Sequence, residues 1–288
     1  MSEVWWRTVA VETPVRLEAQ VSDLLSDLGT LGIVTTGDDP VMLKAYFGAE
    51  NDLHQIAKRV EEFLKNEGVP GDVEPGAIPD EDWEVSWREQ FSAIDVGRRI
   101  VVLPPWQQPA SDARLPIVIN PKMAFGTGSH ATTRLSLEAI ERSVKRGVSV
   151  LDVGAGSGVL SIAAATLGAS QVVAVEIDGK AVVCAKENID YNGVSDRIEL
   201  VIGSIETCPE RRFDLVVANI EADPLCEMAT ELYRRVSPNG IAVLSGVLKR
   251  ELGGFKEHME GVGWRVRRVE ELHDEMIDHS WVAVCMTA

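Results

Sequence analysis

From about residue 116 onward, apolar runs of strand length alternate with helical patterns, and this rhythm constrains the fold more than any other feature of the chain. The runs VSVLDVG, QVVAVEID, RIELVIG, FDLVVANI and GIAVLSGV are nearly continuous in aliphatic residues. Strands of that kind are covered on both faces, so they belong to a parallel sheet with helices on either side. The helical pieces between them, SGVLSIAAATLGA and AVVCAKENIDYNG among others, supply the crossovers. The last two runs, WRVRRVE and SWVAVCMT, stand close together and suggest an antiparallel pair.

Residues 1–79 read differently. A strand over Val4–Glu12 precedes a helix opened by Pro14, whose Val15, Leu17, Val21, Leu24, Leu25 and Leu28 have helical spacing. Strands follow at Ile33–Thr36 and Val41–Phe47, then a helix over Asn51–Asn66 and a short strand near Asp72–Ile78. The order β-α-β-β-α-β is that of a ferredoxin-like α+β domain. Residues 80–106 are expected to be a linker. Within it, Trp83, Trp87 and Phe91 share one face of a short helix over Asp82–Phe91, and Ile100–Leu103 forms a strand stopped by Pro104 and Pro105. Residues 107–288 form the α/β domain.

The 288 residues carry a net charge of −17, with 15 acidic and 6 basic residues in the first 80. Nucleic-acid affinity draws on Lys and Arg displacing counterions, so direct binding to nucleic acid is disfavoured. The acidity of the N-terminal part suits solubility, or docking of a basic partner. No stretch approaches the ~20 apolar residues of a membrane span, and no secretory leader opens the chain, so a cytoplasmic enzyme is expected. Cys184, Cys208, Cys226 and Cys285 are scattered, form no CxxC pair and are expected to be small buried apolar residues; no metal site is expected.

The chemistry is carried by Leu151-Asp152-Val153-Gly154-Ala155-Gly156-Ser157-Gly158, which closes a strand and opens a helix. Glycines there let backbone approach ligand where a Cβ would clash. The spacing is GxGxG, with Val159 where a dinucleotide site wants its third glycine. Glu176 closes the next strand, 22 positions after Gly154, and a carboxylate so placed accepts hydrogen bonds from both hydroxyls of a ribose. This combination indicates a nucleoside cofactor without a pyrophosphate, which S-adenosylmethionine fits better than a nicotinamide dinucleotide. Asn219 ends the run FDLVVAN, at the carboxyl edge where ligands sit in open parallel sheets. Its amide suits an amine nucleophile or the methionine part of the cofactor, and helix capping is the competing role.

A third segment, Asn120 to Thr133 (NPKMAFGTGSHATT), is rich in Gly and Thr. Together with DVGAGSG, ANIEADPL and the EDWEVSWREQF and GRR stretch at 81–99, it resembles the PrmA family of ribosomal protein methyltransferases, class I S-adenosylmethionine-dependent enzymes. The resemblance spans nearly the whole chain. It implies a Rossmann-like domain with a mostly parallel seven-stranded sheet behind the ferredoxin-like domain, which would recognise substrate. It implies that Thr133, Gly154, Glu176 and Asn219 contact S-adenosylmethionine, and the expected cofactor set adds Phe125, Thr127, Asp152, Gly156 and Ser204. Asn219 is also the expected catalytic residue. The family usually has Asp where Glu176 stands, Pro at Ala131 and Cys at Ala155; none of these departures removes a needed group. His130 reads as a loop-shaping residue more than a base.

The implied reaction is attack by lysine and N-terminal amines of a basic large-subunit ribosomal protein on the methyl group of S-adenosylmethionine. Competing readings are an RNA or other protein methyltransferase, a nicotinamide-dependent oxidoreductase and a non-catalytic cofactor-binding module. Ile220-Glu221-Ala222 follows Asn219 where base-modifying enzymes place an aromatic to stack a flipped base.

Overall fold

In the computed structural model, residues 5–37, 39–48, 51–69, 73–79, 92–109, 113–120, 130–274 and 279–288 are described. The chain divides into two compact units, 1–90 and 91–288. The first contains β1 (Trp5–Thr13), α1 (Glu18–Asp27), β2 (Gly32–Thr36), β3 (Val41–Phe47), α2 (Leu53–Asn66) and β4 (Val73–Pro79). Its sheet runs β2-β3-β1-β4 with antiparallel neighbours throughout, the ferredoxin-like order. The periodicity of α2 explains its position. Leu53, Ile56, Ala57, Val60 and Leu64 are buried on one stripe, and the Asp52 carboxylate caps the helix by accepting the His54 and Gln55 amides.

The second unit begins with a small sheet of β5 (Ile94–Val96), β6 (Ile100–Leu103) and β7 (Leu115–Val118). These strands fall partly within the 80–106 stretch expected as linker. Val96, Ile100, Val102 and Ile117 join a core with Leu137, Ile140 and Ile162. The helix expected over 82–91 lies outside the described residues.

There follow α3 (Ala131–Ser143), β8 (Ser149–Val153), α4 (Val159–Leu167), β9 (Gln171–Glu176), α5 (Gly179–Tyr191), β10 (Ile198–Ile202), β11 (Phe213–Asn219), α6 (Ala222–Glu227), α7 (Ala229–Arg235), β12 (Val236–Leu248), α8 (Leu252–Val262), β13 (Arg265–Asp274) and β14 (His279–Thr287). The seven-stranded sheet has the order β10-β9-β8-β11-β12-β14-β13. The pairs from β10 through β12 are parallel, and β14 runs antiparallel to both its neighbours. The apolar runs are continuous because both faces are buried. Val172, Ala174, Leu215 and Val217 join one core, while Val173, Val175, Val216 and Ala218 join the other. The strand order reverses direction at β8, so β8 and β11 open a crevice at their carboxyl ends.

One helix was not legible. α3 begins Ala-Thr-Thr and has a polar first turn, yet its Thr132, Thr133, Leu135, Leu137 and Ile140 are buried. Two short helices follow β11, α6 and α7, divided at Met228. Among the described residues no helix is long and apolar enough to cross a membrane.

Candidate active site

β8 delivers its chain into the turn Gly154–Gly158, and the neighbouring strand holds that turn. The amides of Gly154 and Ala155 both donate to the Val175 carbonyl, at 2.9 and 3.1 Å. The Gly156 amide donates to Glu176 Oε2 at 2.8 Å. Gly154 has φ +76°, and a Cβ there would stand 2.7 Å from Ile220 Cγ2, so only glycine closes the turn against the end of β11.

Glu176 is buried at the end of β9. Its other oxygen, Oε1, accepts the Asp178 amide at 2.9 Å. The carboxylate thus bridges the glycine turn and the entry to α5, and each oxygen keeps a further lone pair for a ligand. Beside it, Ile177 is 76% exposed. Ile202, the register partner of Glu176 on β10, is 64% exposed. Two large apolar side chains are therefore bare at adjacent strand ends, next to a carboxylate. Neither was singled out from the sequence; an isoleucine directly after the strand-closing acid was the available signal. Ser204 lies just beyond β10, and its hydroxyl donates to the Glu206 carboxylate, which holds that carboxyl below its usual range.

Asp152 is fully buried in β8. Its Oδ2 accepts the Ser161 hydroxyl at 2.6 Å, while Oδ1 finds no hydrogen-bond partner among the described residues. Burial pushes its pKa up to about 6, against the hydrogen bonds from Ser161.

On the other side of the turn, Asn219 ends β11. Its Nδ2 donates to Oγ1 of the fully buried Thr133 at 3.3 Å, and its Oδ1 has no partner among the described residues. Asn219 does not cap α6, whose N-cap is Glu221. It faces a crevice of about 470 Å³ lined by His130, Thr132, Ile220, Gly246 and Trp281 among others. Gly246 sits in a bulge of β12 at φ +92°, where a Cβ would stand 2.1 Å from the Ile220 carbonyl oxygen. Ile220 is thus held between two glycines, and an isolated glycine inside a strand pattern was the sequence signal for the second.

His130 caps α3. Its Nδ1 accepts the Thr132 amide at 3.3 Å and lies 2.7 Å from Thr132 Oγ1, and its ring meets Trp281 edge-on at 5.1 Å. Burial holds the imidazole below its usual pKa, opposed by Asp274. A neutral, cap-forming histidine matches the loop-shaping reading. Trp281 Nε1 is buried without a partner among the described residues.

The structure therefore gathers Asp152, Gly154, Gly156 and Glu176 on one side of the turn, with Ser204 after β10, and Thr133 and Asn219 on the other. Phe125 and Thr127 lie outside the described residues. Among the described residues, no His/Cys/Asp/Glu cluster could hold a metal. All four cysteines are free; Cys184 and Cys208 are buried, and burial raises the pKa of Cys208, Cys226 and Cys285.

The family described as ribosomal protein L11 methyltransferase (PrmA) matches residues 5–287. A ribosomal protein L11 methyltransferase of Geobacter sp. (strain M21) is 39% identical, over 84% of this chain and 88% of its own. That of Pelotomaculum thermopropionicum is 34% identical over 97% of both chains. The crystal structure of a ribosomal protein L11 methylase from Lactobacillus delbrueckii subsp. bulgaricus superposes with a TM-score of 0.61 at 29% identity, covering 68% of this chain and 97% of that one.

Proposed function

The chain belongs to the ribosomal protein L11 methyltransferase (PrmA) family of S-adenosylmethionine-dependent protein methyltransferases, and we propose that it methylates lysine and N-terminal amines of ribosomal protein L11. The observation that carries this reading is the position of Asn219, between the Glu176-bridged glycine turn and the apolar crevice, with an unpartnered oxygen.

S-adenosylmethionine, when bound, supplies a methyl group already activated on sulfur. The protein's task is to position and to exclude water. Glu176 would accept the sugar hydroxyls, and the Gly154–Gly158 turn would leave room for the nucleoside. Ile177 and Ile202 would give the base an apolar bed, with Ser204 at its edge. Asp152 and Thr133 complete the set from below and from α3. Phe125 and Thr127 belong to it by resemblance.

The acceptor amine must arrive uncharged. A lysine of pKa ~10.4 is mostly protonated at neutral pH, and an α-amino group of ~7.7–8.0 much less so. The crevice supports deprotonation by desolvation, since its walls include the Trp281 ring and Ile220. Asn219 Oδ1 then orients the nitrogen lone pair by accepting an N–H. Water takes the proton before attack, and neutral His130 keeps its capping role. The ferredoxin-like domain, residues 1–79, recognises the substrate, its excess of acidic residues suiting a basic protein in the cytoplasm.

Transfer of radiolabelled methyl from S-adenosylmethionine to purified L11, against total RNA and a no-substrate control, tests the reading. Label is expected in the protein alone. Asn219→Ala is expected to lower kcat about a hundred-fold, the scale of losing one preorganised polar group at the reacting atoms. Full turnover by that variant removes Asn219 from the reaction, and label in RNA removes the substrate assignment.

A further inference from the structure

Asn188 on α5 and Asn192, the residue that caps its C-terminus, bond the backbone at and just past the end of β7 as a neighbouring strand would. Asn192 Oδ1 accepts the Val118 amide at 2.8 Å, and its Nδ2 donates to the Val118 carbonyl at 2.7 Å. One turn earlier, Asn188 Oδ1 accepts the Asn120 amide at 3.0 Å. Its donor goes elsewhere. Nδ2 donates at 2.9 Å to the carbonyl of Ser157, inside the glycine turn. Asn188 is buried, whereas Asn192 is half-buried.

A neutral amide offers a donor and an acceptor from one rigid plate, so a single buried side chain holds two separate backbones in register. Holding the Ser157 carbonyl fixes the peptide plane that leads to Gly158. That residue takes φ +82° as the N-cap of α4, whose first amides have no intrahelical partners. The other end of the same plate holds Asn120, the last described residue before the Phe-Gly-Thr-Gly segment.

We propose that Asn188 is a positioning residue for methyl transfer, its amide locking the glycine turn to the backbone at Asn120 so that the nucleoside site is formed before the donor arrives. This rests on the reading of the turn as the S-adenosylmethionine site. Asn192 bonds the same segment, and the backbone carbonyl of Asn188, without touching the turn, and so provides an internal control.

The test uses the full-length protein, with S-adenosylhomocysteine affinity by calorimetry, steady-state kinetics and thermal melting. N188D keeps the acceptor for Asn120 and removes the donor to Ser157; N188L removes both. Each is expected to weaken S-adenosylhomocysteine binding and raise KM for S-adenosylmethionine about ten-fold, the scale of one buried hydrogen bond left unmade. At saturating donor kcat stays within about two-fold of wild type, because no group at the reacting atoms has changed. N192L lowers the melting temperature but keeps affinity within about two-fold, since its bonds do not reach the turn. N188D recovers affinity, relative to wild type at the same pH, as pH falls from about 8 to about 6 and its buried carboxyl regains a proton to donate.

N188D binding like wild type at high pH overturns the proposal. So does N192L losing as much affinity as N188L, which reduces both residues to general supports of the fold. Should N188L fail to fold, N188D decides. Failure of the wild type itself to take up S-adenosylhomocysteine would overturn the site reading and this inference with it, whereas normal wild-type binding with unaffected variants would overturn this inference alone.

Discussion

The two sides of the Gly154–Gly158 turn are built on opposite principles. Toward β9, the described amides and carbonyls pair with one another: Gly154 and Ala155 with Val175, Gly156 and Asp178 with Glu176, and Asn188 with Ser157. Toward β11 and β14, Asn219 Oδ1 and Trp281 Nε1 are buried without partners among the described residues. Unmade buried hydrogen bonds are costly. On the proposed reading, a fold that makes them on one side and omits them on the other would prearrange its donor site and leave the acceptor site to be completed by substrate. Asp152 lies beneath the paired side and also carries an unpartnered oxygen, but it is fully buried.

The sharpest way to break this contrast is to close the turn. Gly154→Val adds atoms where Ile220 Cγ2 already stands 2.7 Å from a Cβ, at a backbone angle β-branched residues avoid. Donor binding measured by calorimetry is expected to fall more than about a hundred-fold, an effect larger than any single lost hydrogen bond. Next, Glu176→Gln retains the shape but loses the charge and places an NH₂ opposite one of the two backbone amides that the carboxylate accepts. Donor affinity should fall about thirty-fold, the scale of a hydrogen bond to a charged group, with kcat at saturation little changed. An equal loss of kcat would place Glu176 at the reacting atoms instead.

Asp152 sharpens the comparison through pH. Its folded-state pKa, about 6, lies above the ordinary 3.8. Its contribution to stability is therefore full below the ordinary value and is lost as pH rises through about 6. Asp152→Asn escapes that loss. It should melt a few degrees above wild type at alkaline pH, the gap closing on acidification, while binding the donor less well. A variant melting no higher than wild type at alkaline pH would contradict the buried-charge account. The smallest effect belongs to the first unit. Reversing the exposed Glu61 and Glu62 on α2 should raise KM for L11 about three-fold at low salt, leaving KM for S-adenosylmethionine unchanged.

The glycine turn and its Glu176 side were largely readable from the sequence, because their constraints are local. A glycine that must close on a neighbour, an acid that ends a strand and an apolar run buried on both faces each leave a mark on adjacent residues. Val41–Phe47 and Ile100–Leu103 were bounded correctly for the same reason. The crevice beside Asn219 was less readable, because its walls come from distant parts of the chain. α3 buries Thr132 and Thr133 by tertiary contact, which its polar first turn conceals. Trp281 enters the crevice from the last strand, and Gly246 matters because the Ile220 carbonyl lies against it. Asn188 looks like an ordinary helix-surface residue until the Ser157 carbonyl and the Asn120 amide are both found on its side chain.

The most direct measurement is a crystal structure of the protein soaked or grown with S-adenosylhomocysteine. The ligand's two sugar hydroxyls should lie within hydrogen-bonding distance of the Glu176 carboxylate, with its sulfur turned toward Asn219 and the crevice beyond. Density for the ligand away from the Gly154–Gly158 turn, or sugar hydroxyls out of reach of Glu176, would contradict the account.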